Sequence, residues 1–234
     1  IPMNNITIKN VTIITSNGAV LSVTNAGWLC GGYFGGSNII VDSCHVEGDL
    51  SNAYNGGIFG KNAGSTSGSS VTATNCTFNG NITGTYAAGI FGRNAGNNGT
   101  TATATNCTVN GNITGTYAAG IFGEKAGING SAIATNCHVS GDFTGQYNIG
   151  IFGRKAAYNG GSVTATNCTF TGTATNHYSG GIFGSESGYG NGSATATNCD
   201  VSANFTGQHS IGIFGRSAGY SGGSVTATNC SFTG

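Results

Sequence analysis

Residues 71–84 read Val-Thr-Ala-Thr-Asn-Cys-Thr-Phe-Asn-Gly-Asn-Ile-Thr-Gly. Val71, Ala73, Cys76 and Phe78 are apolar and Thr72, Thr74 and Thr77 polar, so a period of two runs through the segment with one break, at Asn75. A period of two is the signature of a strand, and a single break in it marks a bend between two strands. The same stretch returns along the chain. Its Asn-Cys pair recurs at Cys107, Cys137, Cys168, Cys199 and Cys230, in steps of 31, 30, 31, 31 and 31 residues. Cys44, preceded by Ser43, stands 32 residues before Cys76, and Val11, preceded by Asn10, holds the equivalent place one repeat earlier, which makes eight copies.

A second marker, Ile-Phe-Gly, begins at Ile58, Ile90, Ile121, Ile151, Ile182 and Ile213. Trp28-Leu29-Cys30 reads as its divergent first copy, which puts Cys30 in the place of the marker glycine and outside the cysteine series. Between the markers lie stretches rich in Gly, Asn and Ser, residues that tolerate positive φ and so permit tight turns. A lone strand of this kind cannot cover its apolar face, whereas equivalent strands stacked about 4.8 Å apart satisfy both hydrogen bonding and core. The chain is therefore expected to be all-β, a parallel β-solenoid of about eight coils of roughly 31 residues. It reads as one domain over residues 1–234, with divergent first coils in 1–50 and regular repeats in 51–234. A helical repeat lacks the apolar spacing of three and four. A propeller blade needs about 40 residues or more.

Composition narrows the function. Seven basic and seven acidic residues leave no net charge, so no overall field recruits nucleic acid or an anionic membrane. The 44 glycines serve turns, and the single Pro argues against a linker or a collagen. No apolar run approaches the roughly 18 residues of a membrane span. Ile1 leads directly into β-type sequence, as a mature, processed or excised segment would.

The succession of Gly-Ile-Phe-Gly, a Gly/Asn-rich turn and Ala-Thr-Asn-Cys-Thr-Phe-Asn-Gly-Asn-Ile-Thr-Gly resembles the GLUG-type repeat of large bacterial surface proteins. Residues 4–13, Asn-Asn-Ile-Thr-Ile-Lys-Asn-Val-Thr-Ile, and 38–48, Asn-Ile-Ile-Val-Asp-Ser-Cys-His-Val-Glu-Gly, resemble coils of the pectate-lyase-like right-handed β-helix. Together the resemblances cover nearly the whole chain and imply a β-helix with a structural or surface role, extracellular or on a cell surface or coat.

In such a stack every repeated position becomes a column. Cys44, Cys76, Cys107, Cys137, Cys168, Cys199 and Cys230 form one, read as buried. Zinc would want paired Cys or Cys/His at close spacing, and only Cys44-His45 and Cys137-His138 come near, with adjacent residues facing opposite ways. Disulfides between neighbouring coils are geometrically open, but seven members cannot all pair, and a stack of reduced thiols acting as small hydrophobes is the preferred reading. Phe59, Phe91, Phe122, Phe152, Phe183 and Phe214 are read as core, as are Phe78, Val109, Val139, Phe170, Val201 and Phe232. Tyr54, Tyr86, Tyr117, Tyr147, Tyr178 and then His209 form a column that either stacks structurally or, if exposed, offers carbohydrate a stripe. Lys61, Arg93, Glu124, Arg154, Ser185 and Arg216 follow the marker, and Glu186 neighbours Lys155. These charges are read as interleaved, mutually neutralising surface pairs.

No catalytic residue, metal or cofactor is assigned, and the chain is expected not to be an enzyme. Polysaccharide chemistry needs close carboxylates, yet Asp42, Glu47, Asp49, Glu124, Asp142, Glu186 and Asp200 fall in different coils and columns. Only Asp42, Glu47 and Asp49 cluster, beside His45 and within reach of Lys9. The expected function is a structural, adhesin-like solenoid belonging to a fibre or longer fibrous chain, with carbohydrate or another cell-surface ligand as partner. Neither end reads as a cap, which suggests end-to-end self-association. An alternative is ice binding by the outward Thr-x-Thr pairs Thr72/Thr74, Thr103/Thr105, Thr164/Thr166, Thr195/Thr197 and Thr226/Thr228, an array similar to the face of β-solenoid antifreeze proteins and interrupted at Ile133. A second alternative is a polysaccharide-active β-helix enzyme. Twelve Asn-x-Ser/Thr sequons occur, of which Asn98, Asn129 and Asn191 fall in loops where a glycan could be carried.

Overall fold

The computed structural model describes residues 3–15, 20–210 and 212–234. In chain order the strands are β1 (Ile6–Lys9), β2 (Thr12–Ile14), β3 (Val20–Leu21), β4 (Ile39–Asp42), β5 (His45–Glu47) and β6 (Asp49–Leu50). Then come β7 (Ser70–Thr74), β8 (Thr77–Asn79), β9 (Thr101–Thr105), β10 (Thr108–Asn110), β11 (Ser131–Thr135) and β12 (His138–Ser140). The last are β13 (Ser162–Thr166), β14 (Thr169–Ala174), β15 (Ser193–Thr197), β16 (Asp200–Phe205), β17 (Ser224–Thr228) and β18 (Ser231–Thr233). No helix occurs among the described residues, and none is long and apolar enough to cross a membrane.

Every pairing is parallel and joins one coil to the next. One sheet runs β1-β4-β7-β9-β11-β13-β15-β17 and a second β2-β5-β8-β10-β12-β14-β16-β18, eight strands each, with about seven turns between first and last. The register follows the sequence columns: Thr72 opposes Thr103, Ile133 opposes Thr164, and Val109 opposes Val139. Elsewhere the coils are joined mainly by single bridges, in the rows Phe59–Phe91–Phe122–Phe152–Phe183–Phe214 and Leu50–Ile82–Ile113–Phe143–Ala174, the second row beginning in the short β3–β6 pair. The chain is a parallel β-solenoid.

The corner between the two main sheets is one residue wide. Asn75, Asn106, Asn136, Asn167 and Asn198 all have φ of 52°, the left-handed region that Asn tolerates better than any other side-chain-bearing residue. One such residue turns the strand so that Ala73 and Cys76 both point inward. The Asn side chains then join: Nδ2 of Asn106 donates to Oδ1 of Asn75 at 3.0 Å, and the ladder continues through Asn136, Asn167 and Asn198 at 3.0–3.2 Å.

Inside, Cys44 through Cys199 are buried, and Cys230, in the last coil, is partly covered. All eight cysteines are free thiols. Each column thiol donates to the carbonyl two residues back, as Cys107 Sγ does to Thr105 O at 3.4 Å, and the same sulfur reaches Ala73 O of the previous coil at 3.4 Å. The marker Phe residues from Phe59 to Phe183 are fully buried with ring centroids 4.9–5.2 Å apart. The glycine before each Ile-Phe lets the backbone pass close over the second sheet: a Cβ at Gly120 would lie 2.2 Å from Gly150 O and 2.5 Å from Val139 Cγ2.

The first marker is one residue out of the expected register. Cys30, not Leu29, bridges Phe59, and Gly27 bridges Gly56. The marker there is Leu29-Cys30-Gly31: the glycine is present as Gly31, and Cys30 caps the phenylalanine row rather than replacing a glycine.

Candidate functional site

Two faces carry repeated polar side chains. On the first sheet the outward positions form two columns. One runs Ile40, Thr72, Thr103, Ile133, Thr164, Thr195, Thr226, and the other Asp42, Thr74, Thr105, Thr135, Thr166, Thr197, Thr228. The inward Ala and Val between them are buried as far as β15, as alternation requires. At the head of these columns Lys9 Nζ meets Asp42 Oδ2 at 2.9 Å. His45 does not turn to Asp42; its Nε2 pairs with Glu47 at 2.9 Å on the other sheet.

The other face is built by the residues that lead into the phenylalanine row and by the segment that joins that row to the first sheet, and it concentrates more chemistry. Tyr54, Tyr86, Tyr117, Tyr147 and Tyr178 form one wall, near-parallel rings with centroids 4.6–5.3 Å apart, closed by His209 at 5.1 Å. These tyrosines hold φ of 59–66°, a conformation in which bulky residues are uncommon and for which Gly or Asn would be the unstrained choice. Stacking of successive rings offsets that strain. It also covers the ring faces, so the column presents edges and hydroxyls and is not the open carbohydrate-stacking stripe that the sequence left as one option. Burial raises the pKa of Tyr86, with Glu124 and the flanking tyrosines adding to it, and burial likewise raises Tyr147.

A second wall was not legible as a column. Tyr158 and Tyr189 stack at 4.9 Å and 3°, and Tyr220 continues them at 5.8 Å. They lie in stretches that read as Gly/Asn/Ser turns, and their steps of 31 residues were the available signal. Between the walls runs an open cleft of about 400 Å³ lined by Tyr147, Tyr178, Tyr158, Tyr189 and Tyr220, with Arg154, Ser185, Glu186, Arg216 and Ser217 as its floor.

The charges correct the expectation of exposed, self-neutralising pairs. Glu124 is only 3% exposed; it accepts from Arg93 Nε at 2.7 Å, with Arg154 Nη1 at 3.8 Å. Glu186 takes Arg154 Nε at 3.0 Å and lies 3.5 Å from Lys155 Nζ. These pairs are partly buried and link consecutive coils. They do not neutralise the face. Six of the seven basic residues stand on it, Lys61, Arg93, Lys125, Arg154, Lys155 and Arg216, against two carboxylates, an excess of four positive charges in a chain with none overall. The cations lean on the walls: Arg154 lies 5.2 and 5.7 Å from the Tyr117 and Tyr147 ring centroids, Lys155 5.1 Å from Tyr158, and Arg216 5.3 Å from Tyr178. Desolvation, then the like charge of Arg93, Lys155 and Arg154, lowers the pKa of Lys125 against the pull of Glu124.

No group of three or more His, Cys, Asp or Glu converges as a metal set among the described residues. Comparison of the chain with family models, with curated proteins and with solved structures gives no match.

Proposed function

We propose that this chain is a non-enzymatic, adhesin-like structural solenoid, extracellular or surface-exposed, that works as part of a fibre or a longer fibrous chain. The observation that carries this reading is where the acids are used. Asp42, Asp49, Glu124, Asp142, Glu186 and Asp200 each bond to an adjacent coil, through Asn75, Asn81, Arg93, Thr173, Arg154 and Ser231 respectively. Carboxylates committed to holding coils together are poorly placed for acid and base work on a substrate. The motifs shared with GLUG-type repeats support the surface setting. Electron microscopy and sizing of natively purified protein test this reading: rods or filaments are expected, and a compact monodisperse particle that cleaves pectin-like polymers, and stops doing so on Asp42→Asn, would overturn it.

One observation favours ice binding as a second reading. Thr74, Thr105, Thr135, Thr166, Thr197 and Thr228 make an unbroken column of hydroxyls and methyls in strict register. Such a face should give thermal hysteresis that falls on Thr164→Tyr; an unmodified chain without hysteresis dismisses it.

A further inference from the structure

We propose that the cleft between the two tyrosine ladders binds an acidic glycan, a chain of uronate or sulfated sugars lying along the solenoid axis over Arg154, Lys155 and Arg216. This deepens the adhesin-like reading and rests on it. Four observations bear on the ligand. The face holds an excess of four positive charges although the chain is neutral, which favours an anion in a partly desolvated cleft. Arg216 pairs with no carboxylate among the described residues and meets only the Tyr178 hydroxyl, at 3.4 Å. Ser185 Oγ lines the cleft, is buried, and has no hydrogen-bond partner, a group that a hydroxyl or carboxylate of a ligand would satisfy. The walls offer rows of phenol edges and hydroxyls at the spacing of the coils, and the positive edge of an aromatic ring complements an anion.

The covered ring faces decide between polyanions. Single-stranded nucleic acid binds chiefly by stacking its bases on open aromatic faces, and here the tyrosines have spent those faces on one another. A glycan needs none: it is held by hydroxyls, by its anionic groups and by the groove.

The intact chain is tested for binding to immobilised polygalacturonate, dextran sulfate, uncharged dextran and oligothymidylate. Binding to polygalacturonate or dextran sulfate is expected, distinguishing carboxylate from sulfate recognition, with dextran not retained and affinity falling as salt rises. Arg216→Gln should lose about tenfold in affinity, the loss of one charged hydrogen-bonding group, and Arg216→Lys should restore part of it. Glu186→Gln, which frees Arg154 and Lys155, should tighten binding. Lys9→Gln, on the threonine face, should leave binding unchanged, and thermal melting checks that each variant is folded. Equal retention of dextran, tighter binding of oligothymidylate, or a shift in the same direction for Arg216→Gln and Glu186→Gln overturns the proposal. The parent reading fails separately: release of reducing ends from a bound acidic glycan removes the non-enzymatic assignment and leaves the cleft, while absence of any binding removes the cleft and leaves the scaffold.

Discussion

Asn136 does two things at once: it turns the corner at φ 52° and passes its amide to Asn106 while receiving that of Asn167. Its substitutions separate the two. Asn136→Ala loses both bonds and puts a Cβ without compensation in the left-handed region, a cost of about 2 kcal/mol. Asn136→Gly keeps the turn and should cost less in the same urea titration. The cysteines differ by depth rather than kind. Burial, with Cys44 adding, pushes the Cys30 thiol up to about 12, and the hydrogen bond shared with Cys137 helps hold Cys168 up at about 12. Cys230 is also raised, by burial, but it is the one cysteine not fully buried. A thiol-reactive reagent on native protein should therefore label Cys230 first, faster as pH rises and more thiolate forms, with the other seven reacting only on unfolding. Mass spectrometry after brief labelling gives the order. At this scale the sequence misled at one point. Trp28-Leu29-Cys30 was aligned on its bulky apolar pair, whereas the glycine that follows Ile-Phe in each later copy was the stricter guide and selects Gly31.

The ladders are the elements of this molecule, and those made of identical side chains were legible because period and register coincide. The cysteine, phenylalanine and threonine columns stand where their spacing placed them. The cleft was not legible as a unit, since its second wall begins only at Tyr158 and its charges change sign from coil to coil. The sequence already set Glu186 beside Lys155 and Arg93, Glu124 and Arg154 in one column; what the fold adds is the tyrosine walls on either side of them. Phe122 tests a ladder from within, being fully buried between Phe91 and Phe152. Phe122→Ala should cost about 4 kcal/mol through lost burial and the cavity left behind, measured by denaturant unfolding, and amide exchange should quicken most in the coils on either side.

Because each coil touches mainly its two neighbours, the whole behaves as a one-dimensional array. Removing Cys137–Asn167, one full period of 31 residues, joins Asn136 to Cys168 and leaves every column in register. The shortened chain should fold with an unchanged far-ultraviolet spectrum and lose stability by about one coil's share. A deletion of half that length should not fold, because it slides inward residues against outward ones; circular dichroism of the two shortened chains decides.

The parallel pairings give the molecule a mechanical character of their own. All inter-coil hydrogen bonds run along the axis, so tension applied between the two ends loads them in series, and the weakest coil yields while the others stay intact. Each yielding coil releases about 31 residues, which at full extension is roughly 100 Å of chain. Pulled in an optical trap, the solenoid should lengthen in a staircase of such steps, a tether that pays out slack under load instead of snapping.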